Sequence, residues 1–233
     1  MSIKIFNEDC LLGMKKLKDN SVDVIITDPP YYVLKKQSWD MQWKSKDEYF
    51  NWFDKVFKEM WRVLKDGGQM YVFFSQKFMS DYMNKYNPAR MLIWWHRNLA
   101  QPTNKMWLYE YDPIFYHMKG DKPKTFNGSF TKGYNVDVLM YSKPQRWKGH
   151  IRYHPAEKNL DMIKRLVEVS TNENDIVLDP FVGGGTTPLA CRDLKRKFIG
   201  FEIEKKYYKI TKERLSSNNH SPSNIVGKTK KII

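Results

Sequence analysis

Val22–Thr27 (VDVIIT) is the stretch that most limits the possible folds: a β-branched run that halts at Asp28-Pro29-Pro30. A short apolar run of this kind reads as a buried parallel strand entering a loop, and buried parallel strands need helices on both faces of their sheet. Strand and helix patterns alternate along the rest of the chain. Further strands are predicted at Ile3–Phe6, 70–74, 91–95, 113–117, 176–178 and 198–201. Helices are predicted at 11–17, at 47–64 with a stop at Asp66-Gly67-Gly68, between 70–74 and 91–95, at Leu160–Ser170, from the glycine loop to about 195, and at 205–215. The fold class expected is α/β, a doubly wound sheet with ligands at the carboxyl ends of its strands.

A chain of 233 residues suits one large domain, or one domain with an insertion. The expected organisation is a single domain over 1–233, with a loop-rich insert at 101–152 and a flexible tail at 216–233. The longest apolar runs, Val22–Thr27 and 91–95, fall far short of the ~18–20 residues that cross a bilayer. No basic-then-apolar leader opens the sequence, and two cysteines, Cys10 and Cys191, make neither a disulfide framework nor a metal quartet. The expectations are therefore a cytoplasmic protein with no membrane segment and no metal.

Forty Lys and Arg against 26 Asp and Glu give a net charge of +14. Such a balance fits a polyanionic partner, and it equally fits a basic solubilising surface. Segment 101–152 holds nine basic residues against four acidic ones, with aromatics interleaved. Segment 192–233 holds twelve against four.

Two motifs carry chemistry. In the first, a strand leads into Asp179-Pro180-Phe181-Val182-Gly183-Gly184-Gly185-Thr186-Thr187 and a helix follows. That shape brings backbone close to a ligand at a helix N-terminus, although a plain tight turn would look the same. There is no Gly-Lys-Ser/Thr of a phosphate-binding loop, and Pro188 stands where a dinucleotide loop needs its third glycine. Glu202 ends the next strand, 17 residues beyond Gly185, where a carboxylate can accept hydrogen bonds from two ribose hydroxyls. An adenosine-containing cofactor fits the pair; a solvated Glu in a charged run is the alternative.

The second motif is Asp28-Pro29-Pro30-Tyr31. Two prolines stiffen the backbone and remove two N–H donors, so acceptors remain beside an aromatic plate. That suits an amino group conjugated to a flat ring. Acceptors aimed at both its hydrogens favour the pyramidal form in which the nitrogen lone pair is free. A proline-rich turn with a capping Asp is the alternative.

Asp-Pro-Pro-Tyr followed much later by Asp-Pro-Phe-Val-Gly-Gly-Gly-Thr-Thr resembles the S-adenosylmethionine-dependent amino-DNA methyltransferases, in the order of their circularly permuted β group. Asn7-Glu8-Asp9-Cys10, Arg62 to Gly68, Ile93 to Asn98 and His154 to Asn159 resemble further family segments in the right order, the last imperfectly at Ala156, Glu157 and Asn159. The resemblance covers about 3–215, with the insert as a gap. It implies a Rossmann-like methyltransferase sheet, mostly parallel with one antiparallel strand at 113–117. It implies S-adenosylmethionine as cofactor, held by Asp9, Asp28, His154, Lys158, Asp179, Phe181, Gly183, Gly185, Thr186 and Glu202. Asp28, Pro29, Pro30 and Tyr31 would be catalytic, acting on adenine N6 of a base flipped from the duplex. Tyr32 would add an aromatic surface or alter the loop. Trp39 and Trp43 in loop 35–46 would close over the base or serve the core, and Arg97, Arg146, Lys148 and Arg152 would meet DNA.

Double-stranded DNA is the partner implied, with a homodimer and a cognate restriction endonuclease left open. Cytosine-N4 methylation, or an RNA or protein-amide acceptor, are the alternative activities. A binding module that has lost catalysis is disfavoured by intact Asp28, Tyr31, Asp179 and Glu202, and a nicotinamide dehydrogenase by Pro188.

Overall fold

Successive side chains of β2 (Val22–Thr27) turn to opposite sides of one sheet: Ile25 joins one buried cluster, Val24 and Ile26 the other. β3 (Leu64–Phe73) repeats the division, with Met70 and Val72 on the first side and Tyr71 and Phe73 on the second. Both faces of the central strands are thus apolar, and both need cover. This computed structural model describes residues 2–32, 40, 42–96, 110–129, 136–144 and 153–217.

The other strands are β1 (Ile3–Phe6), β4 (Arg90–Trp95), β5 (Tyr111–Met118), β6 (Val138–Met140), β7 (Ile176–Asp179) and β8 (Lys197–Phe201). Their order in the sheet is β1-β8-β7-β2-β3-β5-β4-β6. β5 runs antiparallel to both its neighbours, and every other pairing is parallel. Helices α1 (Cys10–Lys15), α2 (Lys46–Val63) and α3 (Met79–Tyr86) bury their apolar residues in the first cluster. Helices α4 (Leu160–Ser170), α5 (Thr186–Asp193) and α6 (Lys205–Ser216) pack on the second.

α2 shows how the sequence directs this. Ser45 caps its first turn by accepting from the Glu48 amide, and Phe50, Phe53, Val56, Met60 and Val63 recur on one buried stripe. Each such side chain contributes about 1.5–3 kcal/mol relative to an exposed one.

The crossover through α5 leads β7 to β8, while the one through α2 leads β2 to β3 on the other side and the other face. The chain therefore diverges at the β7–β2 pair. The carboxyl ends of those two strands form the crevice that such sheets offer to a ligand.

Three expectations change. The glycine pair does not end α2. The helix stops at Val63 because Leu64 is already extended, and Gly67 and Gly68 lie inside β3. Gly67 is needed there at φ 72, with the backbone of Lys124 closing on it. The predicted strand 70–74 accordingly starts earlier, at Leu64. Segment 101–152 supplies β5 and also β6, a three-residue edge strand that the sequence reading missed. Trp43 belongs to the core, with its ring 4.6 Å from Trp52 and 5.0 Å from Tyr49. Trp39 and the tail from 218 onward lie outside the described residues.

Candidate active site

Asp28 follows β2 directly, and Asp179 is the last residue of the neighbouring β7. Pairing of Ile25 with Leu178 brings the two strand ends side by side. Two adjoining cavities open there. One is lined by Thr27, Asp28, Lys158, Asp179, Gly183 and Thr186 among others, the second by Asp28, Tyr31, Phe181, Gly183, Glu202 and Tyr207 among others. The proline motif and the glycine loop, 150 residues apart in the chain, thus share one cleft.

The proline loop is held from outside. Asp40, fully buried, accepts from the backbone amides of Tyr31 and Tyr32. The Tyr49 hydroxyl donates to the Pro30 carbonyl at 2.8 Å. Tyr32 turns back at φ 56 and stacks on Tyr49 and Phe78, so it serves packing. Tyr31 stays on the cleft, its hydroxyl donating to Asp28 Oδ1, while the Lys158 ammonium donates to Asp28 Oδ2. Burial raises the Asp28 carboxyl above the usual range, against the pull of Lys158 and both hydrogen bonds. Burial, with the Asp28 charge next, holds the Tyr31 phenol neutral.

The glycine loop is held by α6 and by carboxylates. Gly185 caps α5 at φ 83, and a Cβ there would meet the Thr211 side chain at 2.7 Å. Thr211 donates to the Gly183 carbonyl at 2.9 Å and Arg214 to that of Gly184. Arg214 pairs in turn with buried Glu157 at 3.0 Å. Asp179 accepts from Thr27 and the Phe181 amide, both at 3.0 Å, and from Thr187 at 2.8 Å; burial still pushes its carboxyl up to about 7. Glu202 accepts from the Gly183 amide at 2.7 Å and the Glu204 amide at 2.8 Å. A carboxylate has about four acceptor positions, so room remains for two hydroxyls.

These residues fit an adenosine sulfonium. Gly183 offers bare backbone at φ 52 on the wall common to both cavities. Glu202 faces the loop from the end of β8, and Ile203 and Tyr207 add apolar wall. His154 lines both cavities, packing its ring 4.3 Å from Tyr207.

Of the residues expected at the site, Asp28, Pro29, Pro30, Tyr31, His154, Lys158, Asp179, Phe181, Gly183, Thr186 and Glu202 all line the cleft. Gly185 supports it from the first turn of α5. Asp9 is not among the lining residues; it caps α1, accepting from Leu11 at 2.8 Å and Leu12 at 3.1 Å. Arg97, Arg146, Lys148 and Arg152 lie outside the described residues, as does Trp39. Asp40, Thr211, Glu157 and Arg214 were missed. Only Glu157 and its neighbours gave a signal, as a departure from the family segment. No group of three or more His, Cys, Asp and Glu among the described residues would hold a metal, and no helix among them is long and apolar enough to cross a membrane.

A family model, N6_N4_Mtase, described as DNA methylase, matches residues 22–213. The chain is 32% identical over 97% of its length to "Type II methyltransferase M.BamHI" of Bacillus amyloliquefaciens, and spans 59% of that relative. It is 30% identical over 97% of its length to "DNA adenine methyltransferase YhdJ" of Escherichia coli (strain K12), and spans 87% of it. Among solved structures, the M1.HpyAVI–SAM complex is similar at a TM-score of 0.67 and 29% identity, over 91% of this chain and 99% of that one.

Proposed function

Since the chain belongs to the N6/N4 DNA methylase family and takes its methyl group from S-adenosylmethionine, we propose that its acceptor is the exocyclic N6 of an adenine flipped out of duplex DNA. The observation that carries this is the shared cleft, with the Asp28 carboxylate and the Gly183 backbone on its walls. When bound, the cofactor supplies a sulfonium methyl whose departure leaves a neutral thioether, so the protein's task is positioning and exclusion of water. Glu202 receives the ribose hydroxyls, and Gly183 lets the backbone approach. Asp28 accepts the hydrogens of the amino group, and Tyr31 offers its ring to the base. Pro29 and Pro30 bring no N–H to compete for these acceptors.

Adenine is favoured over cytosine because a DNA adenine methyltransferase is among the relatives, similar over 97% of this chain. Trp39, Arg97, Arg146, Lys148 and Arg152 contact the DNA. A restriction endonuclease reading the same sequence and a second copy of the chain are further partners, to be sought by co-purification and light scattering. A cytoplasmic location goes with a DNA substrate. Incubation with unmethylated duplex DNA and the cofactor, followed by nucleoside analysis, tests the assignment. N6-methyladenine is expected; N4-methylcytosine alone overturns the adenine assignment, and methylation of RNA alone overturns DNA as substrate.

A further inference from the structure

Both oxygens of the Asp28 carboxylate already have donors, the Tyr31 hydroxyl on Oδ1 and the Lys158 ammonium on Oδ2. A substrate amino group that needs this carboxylate must displace at least one of them. Lys158 is also the less suitable companion for the reaction. As the acceptor nitrogen gains a methyl group it gains positive charge, and a fixed ammonium on the same carboxylate opposes that.

The surroundings offer Lys158 a second position. Its Nζ lies 5.2 Å from the Phe73 ring centroid and 6.0 Å from that of Trp94. Trp94 on β4 is the register partner of Asp112 on β5. Asp112 is a second carboxylate nearby, close enough for its charge to bear on Asp28, Tyr31 and Lys158. His96 meets it at 3.1 Å and Lys143 at 3.2 Å, both at the same oxygen, Oδ2. Among the described residues Oδ1 has no partner. Burial would raise the Asp112 carboxyl, but His96, Lys143 and Lys158 outweigh it and hold the group at about 2, fully charged.

We propose that Asp112 is a positioning residue for methyl transfer, receiving the Lys158 ammonium on its open oxygen when the substrate amino group takes the place of Lys158 on Asp28. The exchange moves a charge between two carboxylates and makes or breaks no covalent bond. It leaves Asp28 as an acceptor for the amino hydrogens and keeps the cation paired throughout. It rests on Asp28 being the acceptor carboxylate of the reaction.

The test compares Asp112→Asn with and without Lys158→Met by single-turnover methyl transfer to unmethylated duplex DNA at saturating cofactor, with cofactor affinity measured by calorimetry. Asp112→Asn should slow the methyl-transfer step by roughly 10–100-fold with cofactor affinity unchanged, because Lys158 is then retained on Asp28. Adding Lys158→Met to Asp112→Asn should recover about tenfold, since there is no longer an ammonium to remove. A double variant no faster than Asp112→Asn overturns the proposal, as does a loss of cofactor affinity in Asp112→Asn. If Asp112→Asn melts early by circular dichroism, Asp112→Glu replaces it. That variant keeps the charge, should stay within about threefold of the parent rate, and overturns the proposal if it is slower than that. Full activity of Asp28→Ala would remove the premise instead, which separates the two failures.

Discussion

Asp28 and Asp179 end neighbouring parallel strands, yet they keep different company. The partners of Asp179 are scaffold: two threonine hydroxyls and the Phe181 amide. Those of Asp28 are the tips of two long side chains, Tyr31 and Lys158. The same contrast runs through the two walls of the cleft. On the wall proposed for the cofactor, Thr211 and Arg214 hold the glycine-loop carbonyls and Glu202 takes backbone amides. On the wall proposed for the amino group, the backbone is pinned by Asp40 and Tyr49, while the carboxylate itself is held only by the ends of side chains. A cofactor that binds the same way every cycle suits a fixed wall, and an amino group that must enter and depart suits exchangeable donors.

Mutations on the two walls should therefore fail differently. The largest effect belongs to Asp28→Ala. Methyl transfer should fall by roughly a thousandfold or more, with cofactor affinity by calorimetry within about threefold of the parent. A matching loss of affinity would erase the contrast. Next is Gly185→Ala, which forces a side chain onto φ 83 and into Thr211. It should cost about 2–4 kcal/mol of stability in thermal or denaturant unfolding, with cofactor binding lost alongside. A variant as stable as the parent would mean that this wall is less rigid than described.

Glu202→Ala should weaken cofactor binding by roughly 10–100-fold while the maximal methyl-transfer rate at saturation changes little. A lowered maximal rate with unchanged affinity would move Glu202 to the acceptor side. The smallest effect is a pH dependence beneath the acceptor wall. His117 sits on β5 against Tyr82, its Nε2 2.9 Å from the tyrosine hydroxyl, and burial lowers it to about 4. An unfolded chain protonates this histidine near 6.5 and the native one only near 4, so stability falls as pH drops between those values. From pH 7 to 5.5 the loss should be about 1 kcal/mol. In His117→Gln that part of the slope should vanish in denaturant titrations; an unchanged slope would assign it to other groups.

What the sequence disclosed follows from how local each feature is. Ile3–Phe6, Val22–Thr27 and Leu160–Ser170 were read with the ends they have, because each carries its own apolar pattern and stop. β6 was missed because three residues show no period. The start of β3 was misplaced because Gly67-Gly68 after a helix resembles a helix stop, whereas its task is to admit the chain at Lys124. That Asp28, the glycine loop and Glu202 lie together was legible because each follows a predicted strand, and a parallel sheet brings such ends to one cleft. Asp40, Asp112 and the Glu157–Arg214 pair were not. Each is an ordinary charged residue until the fold brings it to a partner; Glu157 and Arg214 lie 57 positions apart. Asp9 was carried over from the family resemblance; its Oδ1 accepts from the first turn of α1.

One cleft is proposed to hold the cofactor against the Gly183 loop and Glu202 while presenting its reactive carbon toward Asp28. A crystal structure of the protein soaked with sinefungin, an analogue with an amine in place of the sulfonium methyl, examines it most directly. The two ribose hydroxyls are expected on the Glu202 carboxylate, with the amine pointing into the space beside Asp28 and Tyr31. Density for the adenosine elsewhere on the sheet, or an amine turned away from Asp28 with the ribose free of Glu202, would contradict it.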